Sequence, residues 1–486
     1  MNICFVTSEC VPYVKTGGLA DVAGALPPAL CRASPDVHVK VFLPLYARIP
    51  VFDHGFVHAD DLGELSARLG DEDIPYHVWY GHLPDSEVEI YLIDCPRFFH
   101  RGMLYTDHFD EARRFILLQK AAIEVMQRYA FSPDIVHAND WQTALLPAML
   151  RHAYAWDDRF ARTRSVLTIH NLAYQGLTNP HYAYEAGLPV EHALSGGNYH
   201  HDGAFSCLRA GLVEADQITT VSPTYASEIQ QPHLGCGLDG VLSARRSALT
   251  GILNGVDTAH WNPGTDVHLA ANYDATDLHG KTICRNALLS EFSLSAPPDV
   301  PILAVVSRLA DQKGFDLLVP DLEQVLRTRD FRLIVLGSGT PWLEGYFRGL
   351  SGLFPDKVAA FIGYDEGLSH RIEAGADAFL MPSRYEPCGL NQMYSMLYGT
   401  LPVVHHTGGL ADTVTDLHEY PAQGTGFSFH DARPDVMTAT LHRAIDTFSQ
   451  QDIWRAAMQR GMQKDFSWDR AAAAYLDVYR RALDGR

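Results

Sequence analysis

The sequence predicts an α/β chain: two doubly wound domains of parallel sheet and helix, facing each other across a cleft. Three observations predict it. Short apolar runs alternate with longer stretches of helical period, the pattern of βα units around a parallel sheet. The alternation restarts in the second half, after NGVDTAHWNPGTD (254–266), whose Gly, Asn, Asp and Pro break both periods. The 486 residues suffice for two or three cores at roughly 100–200 residues each.

In the first half, ICFVT (3–7), VKVFLP (39–44), EIYLID (89–94), DIVHA (134–138), VLTIH (166–170) and QITTVS (217–222) read as strands. The apolar spacing of 110–130 and 141–154 reads as helix. In the second half, ILAVVSRL (302–309), RLIVLGSG (332–339), AAFIGY (359–364), AFLMPS (378–383) and PVVHH (402–406) read as buried strands. Helices fit 315–328, 366–375 and 389–399. A second crossing between domains is expected near 450–470, followed by the helix SWDRAAAAYLDVYRRALDG. The domains expected are therefore 1–253, 254–460, and a C-terminal helix over 461–486 that packs back on the first.

Composition narrows the function. Hydrophobic residues make up 47% and charged residues 20%, an ordinary soluble balance. A formal charge of −20 argues against non-specific binding to nucleic acid or an anionic membrane. An anionic ligand would need a local basic pocket. The start MNICFVTSEC has no basic n-region, and no stretch approaches the ~18–20 apolar residues of a membrane helix. The eight cysteines are scattered without a C-x-x-C pair, which favours reduced thiols and a cytoplasmic location. The 24 histidines show no metal-ligand spacing, so no metal site is expected. A homo-oligomer is compatible with the sequence.

Three motifs carry chemistry. KTGGLADV, Lys15 to Val22, follows the first strand and opens a helix. Gly17 and Gly18 let backbone approach a ligand, the helix start offers free N–H groups, and Lys15 adds a full charge. The Gly pair alone would mark only a turn; with Lys15 it suits a phosphate. In SRLADQKG, Ser307 to Gly314, Arg308 closes a strand and Lys313 opens a helix. Two cations at one sheet edge can offset charge on a departing diphosphate, although two solvated loop charges would look the same. In PSRYEPCGLNQ, Pro382 to Gln392, Glu386 and Cys388 occupy a strand-to-helix loop, and Gly389 and Leu390 open the helix. Glu386 suits sugar hydroxyls or a positively charging sugar ring. Cys388 has no assigned base for a thiol relay and reads as a buried packing residue. His170-Asn171, Asp140-Trp141, Asn254 and Thr407-Gly408-Gly409 recur at the ends of further strands.

Taken in order, KTGGLADV, HNLAYQG (170–176), NGVD (254–257), SRLADQKG, EPCGL (386–390) and TGGLADTV (407–414) resemble the bacterial glycogen synthase and plant starch synthase family, over essentially the whole chain. The resemblance implies a retaining glucosyltransferase of GT-B architecture. It implies ADP-glucose as donor, glycogen or another α-1,4-glucan as acceptor, no cofactor and no obligatory metal. The first domain becomes the acceptor side and the second the nucleotide-sugar side. By the same resemblance Lys15, Gly17, Gly18, Arg308, Lys313, Leu390, Asn391 and Thr407 hold the donor phosphates. Asn254, Cys388 and Gly389 line the glucose, with His170 near its 6-hydroxyl, and Tyr364 of FIGYD stacks on adenine. Glu386, His170 and Asp140 are the catalytic set, and Tyr105 and Asp21 are further cleft residues.

Two positions depart from the pattern. Gln142 stands where many relatives have His, which touches the acceptor side. Eight residues past Glu386 the chain has Tyr394 rather than the second Glu of the wider retaining superfamily, as is common in the bacterial synthase branch. Rival readings are a transferase with a small acceptor such as glucose 1-phosphate, an inert glucan-binding scaffold, and a sugar-nucleotide epimerase. The intact Lys15, Arg308, Lys313 and Glu386 speak against the scaffold, and Tyr364 with EPCGL against the epimerase.

Overall fold

The structure, a computed structural model, describes residues 1–485. The chain divides into two compact units: Met1–Gly255 together with the segment from Trp468 onward, and Val256–Ser467.

The first unit is built on a ten-stranded sheet. Its parallel part runs, in spatial order, Leu249–Gly251, Gln217–Thr220, Arg164–Ile169, Ile135–Asn139, Asn2–Val6, His38–Pro44 and Glu89–Asp94. Central strands such as NICFV and IVHAN are buried on both faces, which is why they read as continuous apolar runs rather than alternating ones. The strand order reverses between Asn2–Val6 and Ile135–Asn139, so the loops after these strands diverge and leave a crevice at their carboxyl ends.

Beyond Glu89–Asp94 the sheet turns antiparallel through Glu72–His82, which pairs with Val57–His58 and Leu65–Leu69. The sequence reading did not assign these strands. The hairpin signal is present: Leu65, Ala67 and Leu69 are buried in alternation with exposed Ser66 and Arg68, and Gly70, at φ +59°, begins the Gly70-Asp71 turn. A separate three-stranded antiparallel sheet, Leu177–Thr178, His200–His201 and Ala204–Ser206, was also not anticipated.

The helix expected over 141–154 is broken into Asp140–Thr143 and Leu146–Arg151. Pro147 has no N–H to give the Thr143 carbonyl, so it serves only in the first turn of a new helix. The last helix, Trp468–Leu483, packs against helix Gly18–Ala33 and strand Arg164–Ile169 of the first unit. It buries Trp468, Ala471, Ala472, Tyr475, Leu476, Tyr479 and Ala482, one stripe of a helix. The return to the first unit falls at 467/468 and not at 460/461, because helix Gln451–Met462 buries Trp454 and Ala457 in the second unit's core.

The second unit holds a six-stranded, fully parallel sheet: Val358–Ile362, Arg332–Gly337, Ile302–Val306, Ala378–Met381, Leu401–His405 and Phe427–Phe429. Numbered along the chain this is the order 3-2-1-4-5-6, the nucleotide-binding arrangement whose ligand crevice lies where strands 1 and 4 part. Several of the expected bounds shift, three of them with a bearing on the site. The strand expected to 309 ends at Val306, so Arg308 lies past it. The helix expected over 315–328 begins as a short 3₁₀ turn, Phe315–Leu317, and becomes α only at Val319–Thr328, with Pro320 in its first turn. The helix expected over 389–399 spans Asn391–Leu397, since Gly389 sits at φ +72° and Leu390 is the cap. No helix among the described residues is long and apolar enough to cross a membrane. All eight cysteines are unpaired.

Candidate active site

In the second unit the assigned residues collect at the carboxyl ends of strands 1, 4 and 5. Arg308 lies just past Ile302–Val306, exposed, and its guanidinium has no partner among the described residues. Lys313 closes a 3₁₀ turn, and Gly314 after it adopts φ +66°. A Cβ at Gly314 would stand 2.1 Å from the Pro382 carbonyl oxygen, so only glycine lets this loop lie on the Pro382–Glu386 loop. That approach is tied by Arg384 N–H to the Gln312 carbonyl at 2.9 Å. It brings Lys313 Nζ to 2.6 Å from Glu386 Oε2. Ser383 Oγ donates to the same oxygen at 2.9 Å.

The TGG loop supports this from the other side. A Cβ at Gly408 would meet the Glu386 carbonyl oxygen at 1.9 Å, and one at Gly409 would meet that of Cys388 at 2.0 Å. Gly409 N–H donates to the Glu386 carbonyl at 3.1 Å. Thr407 caps the six-residue helix that follows and is buried. Cys388 is buried and Gly389 half-buried or less, and Asn391 Nδ2 donates to the Val306 carbonyl at 2.8 Å, linking strands 1 and 4 across the switch point. Tyr364 stands apart, past strand Val358–Ile362, and is 81% exposed.

In the first unit, Lys15, Gly17 and Gly18 form an exposed loop before helix Gly18–Ala33. A Cβ at either glycine would meet nothing within 4 Å, and neither needs a left-handed backbone. Their own fold does not demand glycine, in contrast to Gly408 and Gly409. The space above them is open. Lys15 Nζ pairs with Asp21 Oδ1 at 2.7 Å, half exposed. Such a pair is worth only about 0–1 kcal/mol and is readily exchanged for a ligand anion.

One residue that the sequence reading missed organises this loop. Glu9, buried, accepts from the Thr16 N–H, from Thr16 Oγ1 at 2.6 Å, from Gly17 N–H at 3.1 Å and from the Tyr105 hydroxyl at 2.6 Å. Tyr105 in turn accepts from Ser8 Oγ at 2.8 Å. Burial, then the Glu9 carboxylate, holds the Tyr105 hydroxyl well above its ordinary pKa, so it remains a donor. Glu9 lies three residues past the first strand, a position shared by other site residues, but a lone Glu carries no motif.

Asp140 takes a left-handed backbone, φ +54°, as the first residue past strand Ile135–Asn139. That turn aims its Oδ1 at the N–H groups of His170, 2.7 Å, and Asn171, 3.3 Å. Burial pushes its carboxyl up to about 7, against those two bonds, which favour the ionised form. His170 Nε2 lies 2.9 Å from Asn139 Oδ1, whose own Nδ2 donates to the Val6 carbonyl. Asn139 therefore offers an acceptor, and the His170 proton sits on Nε2. Burial lowers His170 to about 3, so the ring is neutral and Nδ1 is left as an acceptor. Asn254 lies in the first unit, and its buried Oδ1 has no hydrogen-bond partner. Gln142 Oε1 is likewise buried and unpartnered. A cavity of about 760 Å³ opens beside Trp141, lined also by Phe109, Tyr174, His201 and Asp202.

Residues 2–244 match the family described as Starch synthase catalytic domain, and residues 289–460 match Glycosyl transferases group 1. A glycogen synthase of Anaeromyxobacter sp. (strain Fw109-5) is 48% identical, over 99% of both chains. A glycogen synthase of Syntrophotalea carbinolica is 43% identical, over 100% of this chain and 99% of its own. The catalytic domain of starch synthase IV from Arabidopsis thaliana, solved with ADP and acarbose, superposes with a TM-score of 0.90 at 31% identity, covering 99% of each chain.

Proposed function

The chain belongs to the glycogen and starch synthase family, and from that membership we propose that it moves glucose from ADP-glucose to the non-reducing end of an α-1,4-glucan with retention, elongating glycogen. It is a hexosyltransferase with two Rossmann-like α/β units of the GT-B class.

The observation that carries the reading is the Lys313–Glu386 pair, 2.6 Å, beside a free Arg308 at the switch point of the second unit. Breaking the anomeric C–O bond puts positive charge on the sugar ring and negative charge on the departing diphosphate. The site holds a fixed carboxylate for the first and cations for the second, which is stabilisation aimed at charge that develops only in the transition state. In the first unit, the exposed pair of Lys15 with Asp21 is one that an anion can displace. The unpartnered Asn254 Oδ1 and the His170 Nδ1 acceptor suit hydroxyl donors of the glucose. Tyr364 suits the adenine face.

No side chain stands out as the nucleophile a covalent intermediate needs. The reading is therefore same-face attack, in which the leaving phosphate accepts the acceptor's proton and the protein positions and stabilises. Arg308 and Lys313 take the charge work in this reading, so no metal is assigned to the transfer. The cavity beside Trp141 and Tyr174 is assigned to the acceptor glucan. A cytoplasmic location completes the proposal, supported by eight unpaired cysteines.

The test offers ADP-glucose and UDP-glucose side by side with glycogen and measures chain extension. ADP-glucose should be the better donor and the product a longer glucan. A product confined to a disaccharide phosphate, or no extension from either donor, would refute the proposal.

A further inference from the structure

His260, Glu366 and His370 meet in the second unit, and none of the three is assigned to the donor. One ligand atom from each lies within 4.8 Å of the others. Glu366 and His370 are one helical turn apart on helix Glu366–Gly375, a spacing that puts both on one face. His260 arrives from the segment just past the unit boundary, its Nε2 3.2 Å from Glu366 Oε1.

His370 is fully buried. Its Nδ1 lies 2.6 Å from Asp266 Oδ2, an oxygen that also accepts the Tyr398 hydroxyl at 2.5 Å. A carboxylate there accepts, so the ring proton sits on Nδ1 and Nε2 is a bare lone pair. That Nε2 has no hydrogen-bond partner. The ring cannot turn to find one: Trp261 stacks on it at 3.8 Å and 10°, and Tyr394 stacks on Trp261 at 3.9 Å and 4°. A buried histidine oriented by a carboxylate on one nitrogen and unsatisfied on the other, clustered with a second histidine and a carboxylate, is how proteins present imidazole to a metal.

We propose that His260, Glu366 and His370 bind a divalent transition-metal ion of the zinc class. Two imidazoles and one carboxylate suit zinc. Bonds of ~2.0–2.2 Å require the ligand atoms to approach to about 3.5 Å. The fixed His370 stays, and the exposed side chains of His260 and Glu366 swing in. Their exposure leaves the fourth position to water. Arg371, the next residue on the helix, is neutralised by a two-pronged bond to Glu291, at 2.9 and 2.7 Å. His268 adds a further imidazole, 4.9 Å from the His370 ring. The ion ties the segment after the boundary to a helix that begins two residues past Tyr364.

The test uses the full, untagged chain, stripped with chelator and titrated with Co²⁺, then Zn²⁺. One saturating equivalent should give the visible absorption of four-coordinate Co²⁺, and Zn²⁺ should displace it and raise the melting midpoint. His260→Ala and Glu366→Gln, both at exposed positions, should each weaken binding tenfold or more, and the double variant should lose the band while melting like the stripped wild type. Absence of a saturable equivalent in the wild type, or a double variant that binds Co²⁺ as the wild type does, overturns the proposal.

Discussion

Lys313→Ala removes two things at once: a charge assigned to the donor phosphates and the partner that neutralises Glu386. Glu386 is 5% exposed, and without Lys313 its Oε2 keeps only the Ser383 hydroxyl of the two polar contacts described for it. Breaking a pair this buried costs about 3–5 kcal/mol, and losing a phosphate contact about 1.5–3 kcal/mol. Protonation of Glu386 relieves the first cost but removes the carboxylate assigned to the sugar's positive charge. The expected loss in kcat/KM for ADP-glucose is ~100- to 1000-fold. Glu386→Gln should cost about the same. The double variant carries no orphaned charge, so its loss should fall short of the product of the two by ~10- to 100-fold, a coupling of about 1.5–3 kcal/mol. Lys15→Ala is the internal control. Its half-exposed pair with Asp21 contributes little, so its loss, about 10- to 100-fold, should simply multiply with that of Glu386→Gln. Initial rates of ADP release would measure all of these, with unfolding curves to show that each variant is native. If the Lys313 and Glu386 losses multiply to within about 0.5 kcal/mol, the two side chains act independently and the reasoning fails.

Further outcomes follow from the same geometry. Gly17→Ala should leave stability unchanged and raise KM for the donor, whereas Gly408→Ala, with its Cβ 1.9 Å from the Glu386 carbonyl, should lower the melting midpoint; equal midpoint changes would contradict the assignment. Cys388→Ser should retain activity within roughly tenfold, far above Glu386→Ala; a dead serine variant beside an active Glu386→Ala would invert the roles. Asp140, raised to about 7 by burial, keeps its proton in the folded state after the unfolded chain has lost it. Wild type should therefore lose stability as pH rises from about 4 to 7, by about 4 kcal/mol, and Asp140→Asn should not; parallel denaturation curves for the two would refute the shift. Turnover should survive excess chelator, since the proposal assigns the charge work to Arg308 and Lys313; loss restored only by a divalent ion would show a metal in the transfer step.

The parallel strands were legible because burial on both faces leaves an unbroken apolar run, as in ICFV and ILAVV. The hairpin over 65–82 was not, because half its residues face solvent and the polar ones mask the alternation. Helix breaks at Pro147 and Gly389 were visible as residues but not as consequences. At the site, motifs with repeated Gly and Lys announced themselves. Glu9, Asn139 and Ser383 did not, since each acts through a partner that only the fold supplies. The His260–Glu366 contact spans 106 positions, beyond any local spacing. Nor does the sequence separate glycines that make room for the chain itself, at 314 and 408, from those at 17 and 18 that leave room for something else.

The closing helix bears on how the protein is made. Tyr479 supplies the hydroxyl that His137 Nδ1 bonds at 2.8 Å, deep inside the first unit. A ribosome delivers that hydroxyl only after every residue of the second unit has emerged. The nascent first unit therefore waits with an unfilled groove along helix Gly18–Ala33 and a buried imidazole short of one partner. The second unit, continuous in the chain from Val256 to Ser467, has no such wait. A stop codon just before Trp468, which would spare every residue assigned to chemistry, would leave the half of the molecule translated first as the half that never finishes folding.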